Sequence, residues 1–583
     1  MRPPLGNDLN IGLLAGRDAA LQFPRTMRDK HLYVCGGTGT GKSKFLESLI
    51  RQDIMSWRKS RCGLLVLDPH GSLYDSLIQW AAWHKLDRPI VPIDLRQDDW
   101  IVSYNLLRQR RDIDPAVLID NLTDAMAHVW GQGGTDQTPR FARWVGNILR
   151  PLYEKKLTLI EAEYLIDLLG NHMRHLLTSD LADKAAQQDW EFAGTLTPRD
   201  LEAQIGSTVN RLQRFIRNRT MRSMFGLAGV SLDLGKALEE GSIILVSLAT
   251  ERARISDENA NLFATLLLSD LWTAAKERGK PTDGSKVKPF YVYIDEFQNV
   301  VTPTIAKNLD QARGFGLHLT LANQFPRQIL NSGPHGQQVY DSIMENASSK
   351  VVFRLTHEDN LLPMAKWLFT GVMNPDEIKH ELYSTKVLQY REETKEVRGY
   401  GSSSGVSRGT QRGNASGHGS GGTEGFAGDD TREVRSTSRS ESDFQSMSQS
   451  ESESSSESSS ESVSYVPTLV PVLGKELSHV QFRSLQEQVF RSMAVLFDQQ
   501  ERHGVARLVG MNAPVSIRTP DVGTMPPSVE RSMRFLASRY EQLPFALTGA
   551  RARELLAQRA ATLAATLTKE FMPEPTTAKR KIR

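Results

Sequence analysis

The run HLYVCGGTGTGKSKFLESLI, His31 to Ile50, restricts the fold more than any other stretch of the chain. A short apolar strand ends in a glycine-rich turn that opens directly into a helix-forming segment. A second strand, GLLVLD (63–68), repeats the pattern through DPHG into a helix from about Tyr74. Strands that each leave their turn as a helix are joined by crossovers, and that arrangement builds a parallel α/β sheet. The turn GGTGTGKS, Gly36 to Ser43, fits G-x-x-x-x-G-K-[ST]. Gly37, Gly39 and Gly41 let the backbone curl so that its N–H groups point at phosphate oxygens. The helix start adds partial positive charge. Lys42 then reaches the β- and γ-phosphates, and the Ser43 hydroxyl serves Mg²⁺. The nucleotide-contact set is Gly36, Gly37, Thr38, Gly39, Thr40, Gly41, Lys42, Ser43 and Lys44, with ATP and Mg²⁺ as the expected ligands.

A second stretch, FYVYIDEFQNV (290–300), drives a buried-looking strand into two adjacent carboxylates. An unpaired buried carboxylate is costly, so a cation has to be found for it. Beside a phosphate-binding loop the partners are at hand. Asp295 is placed to hold Mg²⁺, and Glu296 to orient and deprotonate the attacking water. Taken alone, the pair also reads as a strand-end Asp capping the next helix beside a solvated Glu. Gln324 ends the strand LHLTLANQ and falls at the same sheet edge, where it can bond a γ-phosphate or the lytic water. Arg313, in QARGFG, precedes that strand; its position alone fits a helix-end residue facing the helix dipole as well as an arginine finger.

At 583 residues the chain is too long for one core. Lys and Arg (71) barely exceed Asp and Glu (68), so any polyanion surface is a local patch. Cys35 and Cys62 exclude a disulfide framework and suit a reducing compartment. The most apolar segment, ANLFATLLLSDLW (260–272), carries Asp270 and reads as a buried helix instead of a membrane span. With no signal-peptide core, the expectation is a cytoplasmic protein, with peripheral recruitment to the inner membrane left open. Strand-like runs vanish between about Asn105 and Glu240, where apolar residues recur at helical spacing. From Gly399 to Ser464 the sequence is Gly/Ser/Arg-rich and then Ser/Glu-rich; nothing there can bury a core, and disorder is expected. Its flanks, TKVLQYREETKEV and SYVPTLVPVL, read as strands, so this stretch is expected to be the overgrown tip of a hairpin.

The set GGTGTGKS, VLDPHG, VSYNLL, SIILVSLA, YVYIDEFQNV and ARGFGLHLTLANQ, in that order, resembles the HerA/FtsK superfamily of ring-forming DNA pumps. Within it the match is to TraG/TraD-type coupling proteins of conjugation and type IV secretion, over about residues 10–395 and 495–521. The resemblance implies an α/β, RecA-like P-loop core with a mostly parallel sheet and an all-α insertion. On this reading the core spans 1–104, 241–398 and 465–521. The all-α domain is 105–240, the disordered insertion 399–464, and a helical tail with a basic end 522–583. The family's active site maps onto Lys42, Ser43, Asp295, Glu296 and Gln324, and its R-x-x-G-L arginine, acting in trans, onto Arg313. A homo-hexamer, DNA, and relaxase or secretion-channel partners follow from the same resemblance. Coupling proteins usually begin with transmembrane helices, and this sequence departs from them in having none.

For gripping DNA the densest candidate is NRLQRFIRNRTMR, with Arg211, Arg214, Arg217, Arg219 and Arg222. RQRRD (108–112) is a second candidate of similar standing, and both also read as solvated basic surface. The terminal AKRKIR reads as making weak, salt-sensitive contacts with nucleic acid or acidic lipid. His70 is expected to be a loop residue and no metal ligand. Two rivals remain open at this point: an ATPase that energises protein export, and a nucleotide-gated adaptor that recruits cargo without threading DNA.

Overall fold

The structure, a computed structural model, describes residues 8–14, 19–110, 113–130, 138–251, 254–279, 287–301, 309, 311–333, 335–404, 411–417, 444–450 and 457–569. In chain order the strands begin with β1 (Leu9–Leu14), β2 (Ala20–Phe23), β3 (Leu32–Cys35), β4 (Leu64–Asp68), β5 (Ile90–Asp94) and β6 (Trp100–Val102). They continue with β7 (Ile243–Ser247), β8 (Phe290–Ile294), β9 (Leu317–Asn323) and β10 (Ser349–Phe353). Next come β11 (Ile378–Ser404), β12 (Gln411–Gly417), β13 (Phe444–Ser450), β14 (Glu457–Phe482), β15 (His503–Arg507), β16 (Val515–Arg518) and β17 (Ala546–Thr548).

Eleven of these strands form one sheet in the order β2-β1-β16-β15-β10-β3-β9-β8-β4-β7-β5. From β10 to β5 every pairing is parallel. The other flank is antiparallel, built from the β15–β16 hairpin and the N-terminal β1–β2 pair. This is the mostly parallel RecA-like core that the motifs imply. Strand β5, which the sequence reading passed over, forms its edge.

Alternate residues of the same strands feed two cores, the mark of a sheet covered on both faces. Leu32, Val34, Leu64 and Val66 pack with Phe45, Leu49 and Ile50 of helix α1 (Lys42–Ser60) and with Leu73 and Leu77 of α2 (Ser72–Trp83). Each fully buried side chain of this kind contributes about 1.5–3 kcal/mol. Tyr33, Cys35, Leu65 and Leu67 face the other core. That core runs on into a stretch whose described residues form helices and no strand: α3 (Pro115–Trp130), α4 (Thr138–Glu154), α5 (Ala162–Ile166), α6 (Asn171–Thr178), α7 (Lys184–Thr195), α8 (Pro198–Ile216), α9 (Arg219–Phe225) and α10 (Leu234–Glu240). The apolar segment 260–272 lies in α11 (Asp257–Arg278), capped by Ser256 and ended at Gly279. Its Asp270 is buried because Tyr104 donates to it at 2.8 Å and Arg110 pairs with it. Residues 8–375 and 484–569 pack as one compact unit, so the helical segment shares a body with the sheet. Residues 522–569 are docked on the rest of this unit. β17 pairs with β6, Tyr540 stacks on Trp100 at 5.3 Å, and Arg559 of the last helix pairs with Glu161 at 2.7 Å.

The second unit, 376–483, is a long antiparallel ribbon. β11 pairs with β14 from Ile378↔Phe482 to Ser404↔Glu457, and Lys386 meets Glu476 across the ladder at 3.1 Å. β12 and β13 pair beyond them. The flanking strands of the expected hairpin therefore pair as read. The ladder starts well before residue 399, and it continues through parts of 399–464 that were expected to be disordered. Backbone pairing needs no buried core, so a Ser-rich sequence can enter a ladder that its flanks have already registered. The remainder of 399–464 lies outside the described residues.

Candidate nucleotide site

The phosphate loop follows β3 and enters α1 at Lys42. Gly41 stands at φ 102°, a left-handed conformation that suits glycine, and a Cβ there would lie 3.2 Å from Arg502 Cα. Gly36 is fixed by proximity instead: its Cβ would fall 2.4 Å from that of Phe353. Gly39 also has positive φ, whereas Gly37, grouped with it in the sequence reading, does not. Thr40 Oγ1 donates to the Gly37 carbonyl at 2.7 Å and tightens the turn. No side chain caps the start of α1, so its first N–H groups stay available to an anion.

β8 sets the acidic pair against this loop. Lys42 Nζ lies 2.7 Å from Glu296 Oε1 and 3.0 Å from Asp295 Oδ1, and Ser43 Oγ donates to Asp295 Oδ2 at 3.4 Å. Gln324, just past β9, donates to Glu296 Oε1 at 3.4 Å, and Gln298 donates to Glu296 Oε2 at 2.7 Å. Lys42, Asp295 and Glu296 are all buried. Burial alone would push Glu296 up, but the Lys42 charge and the bonds from Gln298 and Gln324 outweigh it and hold Glu296 below the usual carboxylate range. Burial likewise opposes the charge on Lys42, and Asp295 and Glu296 together hold it above its ordinary value. Glu296 takes a left-handed backbone (φ 46°) at the head of a short 3-10 turn, a conformation that costs a non-glycine residue about 1–3 kcal/mol. That strain aims its carboxylate back at the loop instead of along the strand.

Beside the loop opens a cavity of about 580 Å³, lined by Gly37, Thr38, Gly39 and Thr40 on one side and by Gln324, Phe325 and Arg354 on the other. Its size suits a nucleotide-sized ligand. The uncapped helix start, the paired hydroxyl and carboxylate of Ser43 and Asp295, and the Lys42 ammonium all fit ATP with Mg²⁺. Ser43 and Asp295 would hold the metal.

Not every sequence candidate converges here. Lys44 sends its ammonium to Glu47 at 2.8 Å, leaving only its backbone to the phosphate site. Arg313 lies at the opposite end of β9 from Gln324, separated by about 23 Å of strand at roughly 3.3 Å per residue. It is exposed and pairs with Asp29 at 2.7 Å. His70 is an exposed loop residue, and among the described residues no cluster of His, Cys, Asp and Glu could hold a metal. The arginine-rich run spans the end of α8 and α9, and several of its arginines have a carboxylate or ring partner, Arg214 and Arg219 while still well exposed. Arg214 pairs with Glu258, Arg219 with Asp98 and Arg222 with Glu163, while Arg211 lies over the Phe141 ring. Arg217 is exposed with no carboxylate partner among the described residues. Arg108 and Arg110 are likewise taken up by Asp233, Asp270 and Glu277, so RQRRD is structural at those positions. The terminal AKRKIR lies outside the described residues.

Three contributors escaped sequence reading. Gln298 could have been noticed two residues past Glu296 in IDEFQNV. Asp68 ends β4, as Asp295 directly follows β8, and its oxygens accept backbone N–H groups of His70 and Tyr74 at 3.0 and 2.9 Å. Burial raises its pKa against those bonds, and the Asp295 charge adds to the rise. Arg502 donates its N–H to the Thr40 carbonyl at 2.9 Å, bracing the loop from a segment that no local signal ties to it.

Two family models match the sequence. Residues 10–88 match the central domain of helicase HerA, and residues 289–378 match the TraM recognition site of TraD and TraG. No curated protein matches. Among solved structures the chain is similar to the unbound bacterial conjugative coupling protein TrwBΔN70 at 12% identity and TM-score 0.48, covering 90% of this chain and 91% of that one. It is similar to TrwB in complex with ADP and Mg²⁺ at 15% identity and TM-score 0.40, covering 61% and 77%. It is also similar to VirB4 of Thermoanaerobacter pseudethanolicus at 14% identity and TM-score 0.41, covering 62% and 88%. The two family-model matches enclose the phosphate loop and the Asp–Glu strand respectively, and they bear out the HerA/FtsK-type, TraG/TraD-like resemblance read from the motifs. Among the described residues no helix is long and apolar enough to cross a membrane.

Proposed function

We propose that this coupling-protein-like P-loop chain is an ATP hydrolase that drives DNA, or a DNA–protein cargo, through a homo-hexameric ring in conjugation or type IV secretion. One observation carries the reading: Lys42 and Ser43 of the phosphate loop lie within 3.4 Å of the Asp295–Glu296 pair, with Gln324 alongside. Magnesium held by Ser43 and Asp295 would neutralise charge on the β- and γ-phosphates. Lys42 pairs with Glu296. As Lys42 moves onto the phosphates, Glu296 loses its counter-charge and becomes the better base. Glu296 then takes a proton from a water whose oxygen bonds to the γ-phosphorus. The bond from that phosphorus to the β–γ bridging oxygen breaks, and ADP and phosphate leave. Gln324 senses the γ-phosphate. Arg313 cannot reach the phosphate loop of its own chain, which is consistent with action on a neighbouring subunit.

ATPase activity measured with and without single- and double-stranded DNA, alongside solution mass, tests the proposal. DNA-stimulated turnover that falls steeply with salt, in a particle of six subunits, is the expected result. Turnover indifferent to DNA would instead favour a protein-export ATPase. Cargo binding that survives Glu296→Gln without any DNA-stimulated turnover would favour the adaptor.

A further inference from the structure

Beneath α1, toward the N-terminal ends of β3 and β9, lies a polar cluster that the nucleotide site does not use. It centres on a 3-10 turn, Arg25–Lys30, which leads into β3. Arg28 in that turn is buried. Its guanidinium donates to both oxygens of Asp53 at 2.7 and 2.8 Å and to the Tyr293 hydroxyl at 2.9 Å. It also stacks on the Tyr291 ring at 3.5 Å. Tyr293 donates in turn to Asp53 at 2.6 Å. Asp53 belongs to α1, which begins with Lys42; Tyr293 belongs to β8, whose last residue, Ile294, directly precedes Asp295. The turn is thus pinned to the two elements that build the nucleotide site.

The residue after Arg28 is Asp29, and its Oδ2 lies 2.7 Å from Arg313 Nε. Its other oxygen, Oδ1, is buried with no hydrogen-bond partner among the described residues. The Arg313 side chain remains 62% exposed. An ion pair this exposed contributes little to stability, about 0–1 kcal/mol, so its consequence is geometric. Pairing through Nε removes freedom from a long, rotamer-rich side chain and leaves the terminal nitrogens for an anion outside the subunit.

We propose that Asp29 is a positioning residue for Arg313. It holds the guanidinium in the pose from which it meets a phosphate bound by the adjacent subunit. Through the Arg28–Asp53–Tyr293 lock, that pose follows the α1 and β8 of its own subunit. The state of one site would in this way set the aim of the arginine delivered to the next. The inference rests on the reading of Arg313 as acting in trans.

The test is a double-mutant cycle on the full chain at saturating ATP, with thermal stability and assembly mass measured for each variant. Asp29→Ala is expected to lower kcat roughly 10-fold, short of the ~10²-fold that a 1 Å misplacement can cost, with KM for ATP unchanged. Asp29→Glu should recover most of the loss. The double variant Asp29→Ala/Arg313→Ala should turn over no more slowly than Arg313→Ala alone, because Asp29 acts only through that arginine. Normal kcat in Asp29→Ala while Arg313→Ala is slow would overturn the positioning role and leave the trans arginine standing, as would full additivity in the double variant. Normal turnover in Arg313→Ala would remove the trans arginine itself and the positioning role with it.

Discussion

Two cations on one side of the sheet make an instructive pair. At the C-terminal strand ends Lys42 bridges Asp295 and Glu296; about 16 Å further along the same helix, Asp53 receives Arg28. Both clusters are buried and both join α1 to β8. They differ in the cation. Lysine is a compact charge on a flexible stem, holding two carboxylates through one nitrogen, a form of contact that lets it exchange one anion for another. Arginine meets Asp53 with a two-bond fork, takes Tyr293 as a third acceptor and lies flat on Tyr291, so no comparable exchange is open to it. The contrast separates a site built to be rearranged from a joint built to stay fixed.

The largest expected effect breaks the exchangeable cluster. Glu296→Gln keeps the shape and the Asp295 contact to Lys42 but removes the base. Turnover should fall by roughly 10²–10⁴-fold while ATP is still retained. Stability should barely change, because Lys42 keeps one carboxylate. Single-turnover hydrolysis beside nucleotide-binding measurements checks this, and near-normal hydrolysis would mean that Glu296 is only another fixed ion-pair partner.

The fixed joint should respond in the opposite currency. Asp53→Ala strands the buried Arg28 charge, and removing one member of such a pair costs about 3–5 kcal/mol. Denaturant unfolding should show the loss. A change under about 1 kcal/mol would show that the joint is relaxed or wet.

The same contrast governs what could be read from sequence. The nucleotide site was legible because its chemistry sits in two unbroken runs, GGTGTGKS and YVYIDEFQNV, each following an apolar strand. Arg28, Asp53 and Tyr293 are 25 and 240 positions apart with no motif around them, so only the folded sheet assembles them. Strand β5 went unread for a different reason. Pro92 interrupts IVPID, and proline argues against a strand except at a sheet edge, which is where β5 lies. Bulk charge gave no lead on the arginines of the helical segment, because whether each is free or paired depends on carboxylates far along the chain, such as Asp98 and Glu163.

The smallest expected effect asks whether joint and site are independent along β8. Tyr293 lies on the strand that directly precedes Asp295, yet its hydroxyl belongs wholly to the joint. Tyr293→Phe removes that hydroxyl and keeps the ring. The two bonds from Arg28 to Asp53 survive, so the turn carrying Asp29 stays anchored. What is lost is one donor to Asp53 and one acceptor for Arg28, a deficit of about 1–3 kcal/mol in a buried setting. If the joint only fixes position, kcat for ATP should stay within about 3-fold of the parent despite that stability loss, a difference of under 1 kcal/mol in the barrier. A 10-fold fall in kcat with unchanged ATP affinity would instead mean that β8 transmits the loosening to Glu296, and the division between a fixed joint and a rearranging site would no longer hold.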